Sequence, residues 1–319
     1  MKVHIIGCYC VIILAFTLIF SGCARTAVSR IYGDKREISE DEFSVLKDVF
    51  RLRVNNIVFN DEKAYCALDM TPSFGERGIF YLPQNLQAEM KVSVPDGRGP
   101  GEAMAMRHLV IANGYFYLFD LDLVRFLKYD ESLNYLDTIN MDQGIRINTF
   151  VMLNNELTAI VTDNDSIAFY TVIFNETVAL KEKYRFPLSN TVKELSDQLF
   201  RVFLSSVLLN SDELLVVSAF DIVLYFQKKP CLEKTHELKL EIKKGKDGSI
   251  RAPFYVRVMQ DGSFIYDYFE KRYRYDYPKK RLIKMKQDET LLEYDLYGKS
   301  FRVIKEEDRY YIQECVGIK

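Results

Sequence analysis

The feature that most constrains this chain is a polar turn that recurs between apolar runs. "NDE" stands at 60–62, "NG" at 113–114 and "NN" at 154–155, followed by "NSD" at 210–212, "QDG" at 260–262 and "EED" at 306–308. From first residue to first residue the steps are 53, 41, 56, 50 and 46 residues. Strand-like runs such as "HLVIA" and "SSVLL" precede the turns, and "KAYCALD", "YFYLFD", "ELTAIVTD", "ELLVVSAF", "SFIYDYF" and "RYYIQECV" follow them. Asn-Gly and its relatives accept the positive φ that tight hairpins require, so each turn predicts a β-hairpin.

Hairpins repeating at this period indicate an array with room for four strands per unit. The second unit displays all four: "HLVIA" (108–112), "YFYLFD" (115–120), "VRFLKYD" (124–130) and "NYLDTI" (134–139). Six such units closing on themselves predict an all-β, six-bladed β-propeller. A β-sandwich is the competing architecture, but it gives no reason for six similarly spaced hairpins. The last unit shows only two strands before Lys319, so the segment between Ser29 and Arg53 is expected to supply the missing ones and close the ring. Closure of this kind avoids an open sheet edge. A short helical insertion is expected at 191–203, "TVKELSDQLFRVF", where Val192, Leu195, Leu199 and Val202 recur at helical spacing behind a Thr191–Glu194 capping box.

The N-terminus reads as a signal peptide over residues 1–22: Lys2, an apolar run from Val11 to Phe20, then small Ser21 and Gly22 before Cys23. The uncharged stretch from Ile5 to Gly22 also approaches spanning length, which leaves a retained anchor as the competing reading. "SGC" resembles the bacterial lipobox, with Phe20 where that pattern usually carries Leu, Val or Ile. The resemblance implies cleavage before Cys23 and lipidation (palmitate among the acyl groups) of its thiol. Residues 23–53 then form a lipidated N-terminus, linker and ring-closing segment, and 54–319 the propeller. "ARTAVSR" after Cys23 holds no acidic run, which favours an outer-membrane anchor facing the periplasm.

A net charge of −2 gives no call for nucleic acid. The mature chain would keep Cys66, Cys231 and Cys315, whose spacing matches no metal site, and Cys66 and Cys315 fit as small core residues. No cofactor and no metal are expected.

The stretch "VPDGRGPGEA" (94–103) poses the functional question. A phosphate loop would follow its last glycine with lysine and a hydroxyl residue, whereas Glu102 and Ala103 follow here, and the glycines at 97, 99 and 101 lack dinucleotide spacing. In a meander blade this entering loop shares one face with the turn between the second and third strands. Asp69, Asp120, Asp163 and Asp221 each close a second strand, with Glu270 as the fifth counterpart, and Arg98, Glu102, Arg107, His108 and Asp122 lie nearby. One reading is a polar, ligand-binding rim at the mouth of the channel. The other, which the chemistry of aspartate favours, is that each aspartate turns its own backbone.

"GRGPGE", followed by a first strand, "YFYLFD" and "VRFLKYD", resembles a family of bacterial six-bladed β-propeller lipoproteins related to the NHL-repeat and TolB-like propellers. The match covers about residues 96 to 140, with Ala103 where the family pattern has Phe. It implies a propeller on the cell envelope and brings no catalytic residues with it.

Catalytic motifs such as HExxH, G-x-S-x-G and paired CxxC are missing from the sequence. His108 begins an inner strand, His236 is expected on an exposed outer strand, and "YDYFEKRYRYDYPKKR" (266–281) reads as an exposed hairpin shielded by its rings. The sequence therefore predicts a lipid-anchored envelope binding or scaffold module whose partner is an envelope protein or a small ligand. A propeller-fold hydrolase or lyase with its site at the channel mouth is the alternative.

Overall fold

The computed structural model describes residues 30–318, apart from 51–56, 70–76, 85–86, 142–144, 146, 163–164, 189–203, 210–213, 220–221, 241–242, 245–249, 252–253, 259–261, 269–270, 285–289 and 297. The chain enters through β1 (Arg30–Tyr32), β2 (Arg36–Ile38) and a helix, α1 (Glu40–Phe50). Blade 1 is β3 (Ile57–Asn60), β4 (Lys63–Leu68), β5 (Gly78–Leu82) and β6 (Glu89–Ser93). Blade 2 is β7 (Met106–Ala112), β8 (Tyr115–Asp120), β9 (Arg125–Tyr129) and β10 (Tyr135–Asn140). Blade 3 is β11 (Thr149–Leu153), β12 (Glu156–Thr162), β13 (Ser166–Phe174) and β14 (Val178–Pro187). Blade 4 is β15 (Leu204–Leu209), β16 (Leu214–Ala219), β17 (Ile222–Gln227) and β18 (Glu233–Lys239). A two-stranded ribbon, β19 (Lys243–Lys244) with β20 (Ile250–Arg251), leads to blade 5: β21 (Phe254–Val258), β22 (Phe264–Tyr268), β23 (Lys271–Asp276) and β24 (Arg281–Lys284). Blade 6 begins with β25 (Thr290–Leu296), β26 (Lys299–Glu306) and β27 (Arg309–Ile318).

Blades 1 to 5 are four-stranded antiparallel meanders, and together with blade 6 they make a six-bladed β-propeller. First strands of successive blades touch, β3 with β7, β7 with β11, β11 with β15 and β15 with β21, so the first strand of each blade lies innermost. The turn residues behave as their chemistry requires. Asp61, Asn113, Asn154, Asn155 and Gly262 hold positive φ in the predicted hairpins between first and second strands.

The sixth hairpin differs from the expectation. "EED" joins β26 to β27, the second and third strands, and Glu307 carries its positive φ. The first turn of blade 6 falls at Gly298 (φ 73°), so the C-terminal segment supplies three strands rather than two. The N-terminus supplies the fourth: β1 pairs antiparallel with the end of β27, and β2 pairs with its beginning. Ring closure by both chain ends is thus as expected. The segment 30–50 is however not strand throughout. Ser39 and Glu42 form a reciprocal capping box, with Ser39 N–H donating to Glu42 Oε2 at 2.8 Å and Glu42 N–H to Ser39 Oγ at 3.1 Å. α1 follows from it and packs on β25, β27 and β4. The helical insertion expected at 191–203 lies outside the described residues.

Cohesion comes from the seams between blades. Along β8, Phe116 and Leu118 enter the cluster shared with blade 1, while Tyr117 and Phe119 enter the one shared with blade 3. Both faces of the sheet are buried, which is why "YFYLFD" reads as a continuous apolar run and not as an alternation. At the closing seam, Ile38 and Leu46 join Ala64, Cys66 and Phe80 of blade 1 and Tyr294, Val303 and Ile312 of blade 6. Phe43 stacks on Tyr310 with centroids 4.4 Å apart. Leu46→Ala is therefore expected to cost about 2–5 kcal/mol, and Ser39→Ala about 1 kcal/mol. Both should lower the denaturation midpoint without changing the far-UV spectrum of the folded state.

Candidate functional site at the connector between blades 1 and 2

The glycine-rich connector leaves β6 and enters β7 through a compact turn. Ala103 N–H donates to Pro95 O (3.0 Å), Gly97 N–H to Ala103 O (3.3 Å) and Glu102 N–H to Gly99 O (3.3 Å). Gly99 N–H also donates to Glu102 Oε2 at 2.6 Å. A Cβ on Gly97 would meet that same oxygen at 2.1 Å. The loop does cradle an anion, and the anion is its own Glu102 carboxylate. Gly101 has φ +75° and lies against the Tyr135 ring, 3.7 Å from where its Cβ would stand. Backbone conformation thus favours glycine at both 97 (φ +156°) and 101, and at 97 a Cβ would in addition displace the Glu102 carboxylate.

Two buried arginines clamp this connector from either side. From blade 2, Arg125 donates through Nη1 to Arg98 O (3.0 Å) and through Nη2 to Gly99 O (3.2 Å) and Glu102 O (2.8 Å). Asp120, with 0% of its surface exposed, pairs with Arg125 (Nε to Oδ2, 3.5 Å). Its carboxylate also accepts from Met104 N–H (3.0 Å), Ala105 N–H (3.1 Å) and Leu123 N–H (3.4 Å). From blade 1, Arg77 pairs with Asp69 (3.1 Å) and with Asp96 of the connector (2.8 Å), while its carbonyl accepts from Val94 N–H. Ala103 itself is wholly buried at the seam between blades 1 and 2.

The structure sorts the predicted rim residues into three groups. Asp69, Glu102 and Asp120 come together around the connector and are engaged with its backbone or its arginines. Arg98, Arg107 and Asp122 are exposed. Asp163, Asp221 and Glu270 lie outside the described residues. Asp120 turns its own backbone only weakly, and its stronger bonds go to the preceding connector. Asp130 is the residue that makes a local turn: it accepts from the backbone of Ser132 and Asn134 and from the Asn134 amide. Those bonds, the Asn134 amide foremost, hold its carboxyl below the usual range. Sequence reasoning missed Arg77 and Arg125. The available signal was an arginine opening the third strand just after an aspartate closing the second.

His108 belongs to a seam. It is buried between Phe119 and Phe150, and its Nε2 donates to Asn148 O of the next blade at 3.0 Å. His236 is half-buried rather than exposed, because blade 5 covers it: its Nε2 lies 3.0 Å from Tyr275 Oη. The tyrosine-rich segment likewise turns inward. Tyr266 and Tyr275 are buried in the cluster between blades 4 and 5, and Tyr225 donates to Gly262 O while stacking on Tyr277 at 4.3 Å. Among the described residues no group of three or more His, Cys, Asp or Glu side chains is placed to hold a metal ion. Cys66 is buried as a core residue. No described helix is long and apolar enough to cross a membrane.

This chain resembles solved structures at low sequence identity. A protein of Bacteroides fragilis described as exported superposes with a TM-score of 0.53 at 10% identity, covering 93% of this chain and 96% of that one. Virginiamycin B lyase of Staphylococcus aureus gives 0.45 at 11% identity, covering 90% and 100% of the two chains. The extracellular domain of a one component system from B. thetaiotaomicron gives 0.45 at 11%, covering 81% of this chain and 32% of that chain. The sequence matches no protein-family model and no curated protein. At these identities the likeness is one of fold.

Two outcomes follow from the geometry. Asp120→Ala leaves the Arg125 guanidinium buried without its counter-charge, so stability should fall by about 3–5 kcal/mol in equilibrium unfolding. The second concerns His236, whose imidazole is held below its ordinary value of 6.5 by burial first and by the Lys280 ammonium second, against a pull from Glu237. The folded state therefore binds protons less readily than the unfolded state. The contribution of neutral His236 is complete above about pH 6.5 and is lost as pH falls through the window below it. Denaturation midpoints measured from pH 7.5 down to 5 should decline for the natural chain, and His236→Gln should flatten that decline.

Proposed function

We propose that this chain is a lipid-anchored binding or scaffold module of the bacterial envelope, in which the connector face of the propeller meets its partner. The single observation that carries the reading is how the polar groups of that face divide. Those with the burial and pairing that chemistry would use, Asp120, Arg125, Arg77 and His108, are committed to holding backbone and neighbouring blades in place. Among the described rim residues predicted from the sequence, Arg98, Arg107 and Asp122 stand exposed. Exposed, solvated charges suit recognition and the steering of a partner better than proton transfer, which calls for a group with a displaced pKa held in a cleft.

The "SGC" sequence at 21–23 supports cleavage and lipidation at Cys23, and the superposable protein described as exported is in keeping with an envelope location. The test is in-cell crosslinking of tagged protein from the membrane fraction, with mass spectrometry of the copurifying material and of the N-terminal peptide. The expected result is a lipid-modified Cys23 and a stoichiometric protein partner. Arg98→Glu together with Arg107→Glu should abolish copurification while leaving the denaturation midpoint within about 0.5 kcal/mol of the natural chain. If membrane-bound, abundant protein brings down no partner, the ligand is a small molecule at the channel mouth, and turnover by a hydrolase or lyase becomes the question to assay.

A further inference from the structure

We propose that the rim of blade 6, where β1 meets the end of β27, rests on the phospholipid bilayer, so that the propeller stands on its edge. The inference rests on the lipid-anchor reading of Cys23 and adds an orientation to it. Covalent reach is the first argument. Cys23 precedes Arg30, the first residue of β1, by seven residues. A fully extended chain of that length spans at most about 25 Å. A globule of this size has a radius of gyration of roughly 19 Å and a diameter of roughly 50 Å. The tether therefore cannot reach around the disc, and blade 6 is the part held close to the anchored lipid.

The second argument is what that rim displays. Val316 is 62% exposed and Ile31 is 41% exposed. They meet at a β-bulge: Ile31 pairs with Gly317 and Tyr32 with Cys315, leaving Val316 as the extra residue. Ile31 and Gly33 share a face of the strand because side chains alternate. A Cβ on Gly33 would lie 3.3 Å from Val316 Cγ1, which places Val316 on that same face. The ring of Tyr32, one position along, is covered by the Arg302 guanidinium at 3.5 Å. An open apolar face thus sits at the point where the tether leaves the fold.

Charge decides the kind of contact. The cations around this rim have acidic neighbours: Lys35 with Glu306, Arg36 with Glu42 (3.5 Å), Lys299 with Glu314 (2.9 Å) and Arg309 with Glu37 (3.5 Å). These four pairs carry no net charge, while Arg302 over the Tyr32 ring donates to the neutral Gln313 Oε1 (3.0 and 2.8 Å), so the contact with the headgroup boundary is argued from the apolar side chains of Ile31 and Val316. A tethered surface needs little intrinsic affinity, since the anchor keeps its local concentration high.

The chain contains no tryptophan, so a single introduced indole reports its own surroundings. Val316→Trp, Ile31→Trp and, as a control two blades away around the ring, Leu136→Trp are prepared as full-length, cell-matured protein and reconstituted into phosphatidylcholine vesicles containing chain-brominated lipid. Residue 136 is also well exposed, at 48% in the natural chain. The expected result is a blue shift and loss of emission at 316 and 31, with neither at 136, and no recovery when salt is raised. Unquenched emission at 316 and 31 from vesicle-bound protein overturns the orientation and leaves the anchor standing, and such a rim would instead be free for a protein partner. If the natural chain and Cys23→Ser both fail to float with vesicles, the anchor reading fails and the orientation falls with it.

Discussion

Everything in this molecule depends on each sheet burying both of its faces. A four-stranded blade with Phe116 and Leu118 on one side and Tyr117 and Phe119 on the other has no stable existence alone, because either face left wet would expose several large apolar groups. The ring is the arrangement that gives every blade two neighbours, and it leaves one seam to be made by residues far apart in sequence. That seam joins blade 6 to blade 1. The chain closes it twice over, with β1 and β2 paired along β27 and with Leu46 of α1 set among the side chains of both blades.

The connector between blades 1 and 2 extends the same logic to polar groups. A loop crossing from one blade's outer strand to the next blade's inner strand carries backbone N–H and C=O groups into a partly buried place, and each must be paired. Arg125 serves three carbonyls, Asp120 three amides and Glu102 the amide of Gly99. A guanidinium suits the carbonyls because its fork presents several donors in fixed directions. Asp120 in turn compensates the buried cation. The ordered face that results is assembled from charges committed to the connector backbone and to one another.

Much of the fold was legible because hairpin turns and doubly buried strands have strong local signatures. Asp61, Asn113 and Asn154 do hold positive φ where the turns were expected. The sixth repeat was misplaced because its first turn is marked by Gly298 alone, whereas the acidic "EED" one strand later resembles the earlier turns more closely. α1 starts at a capping box, "SEDE" at 39–42, inside the segment expected to supply ring-closing strands, and a single turn signal of this kind is weaker than the demand of the open sheet edge beside it. The candidate site was harder. That Asp120 and Glu102 matter follows from their place at a glycine loop. That they are engaged internally depends on Arg77 and Arg125, each marked locally by an arginine following an aspartate that closes a second strand, but that both converge on one connector from two blades is a tertiary fact. His236 and Tyr275 were misjudged for the same reason: strands written as outer and exposed are covered by the neighbouring blade.

The N-terminal segment joins these themes. β1 is only three residues long and lies at the outer edge of blade 6, so its pairing alone would hold it weakly. Its continuation makes it durable: β2 pairs with the other end of β27, and α1 fastens the segment through Phe43 and Leu46. Cleavage before Cys23 would spare this whole device, since every residue from Arg30 onward remains. Were a lipid attached there, any pull along the tether would act on β1 first and then on the capped helix. The strand that helps close the ring would also be the strand that bears the anchor, and a cut just after β1 would remove its pairing with β27 while leaving Leu46 of α1 in the seam.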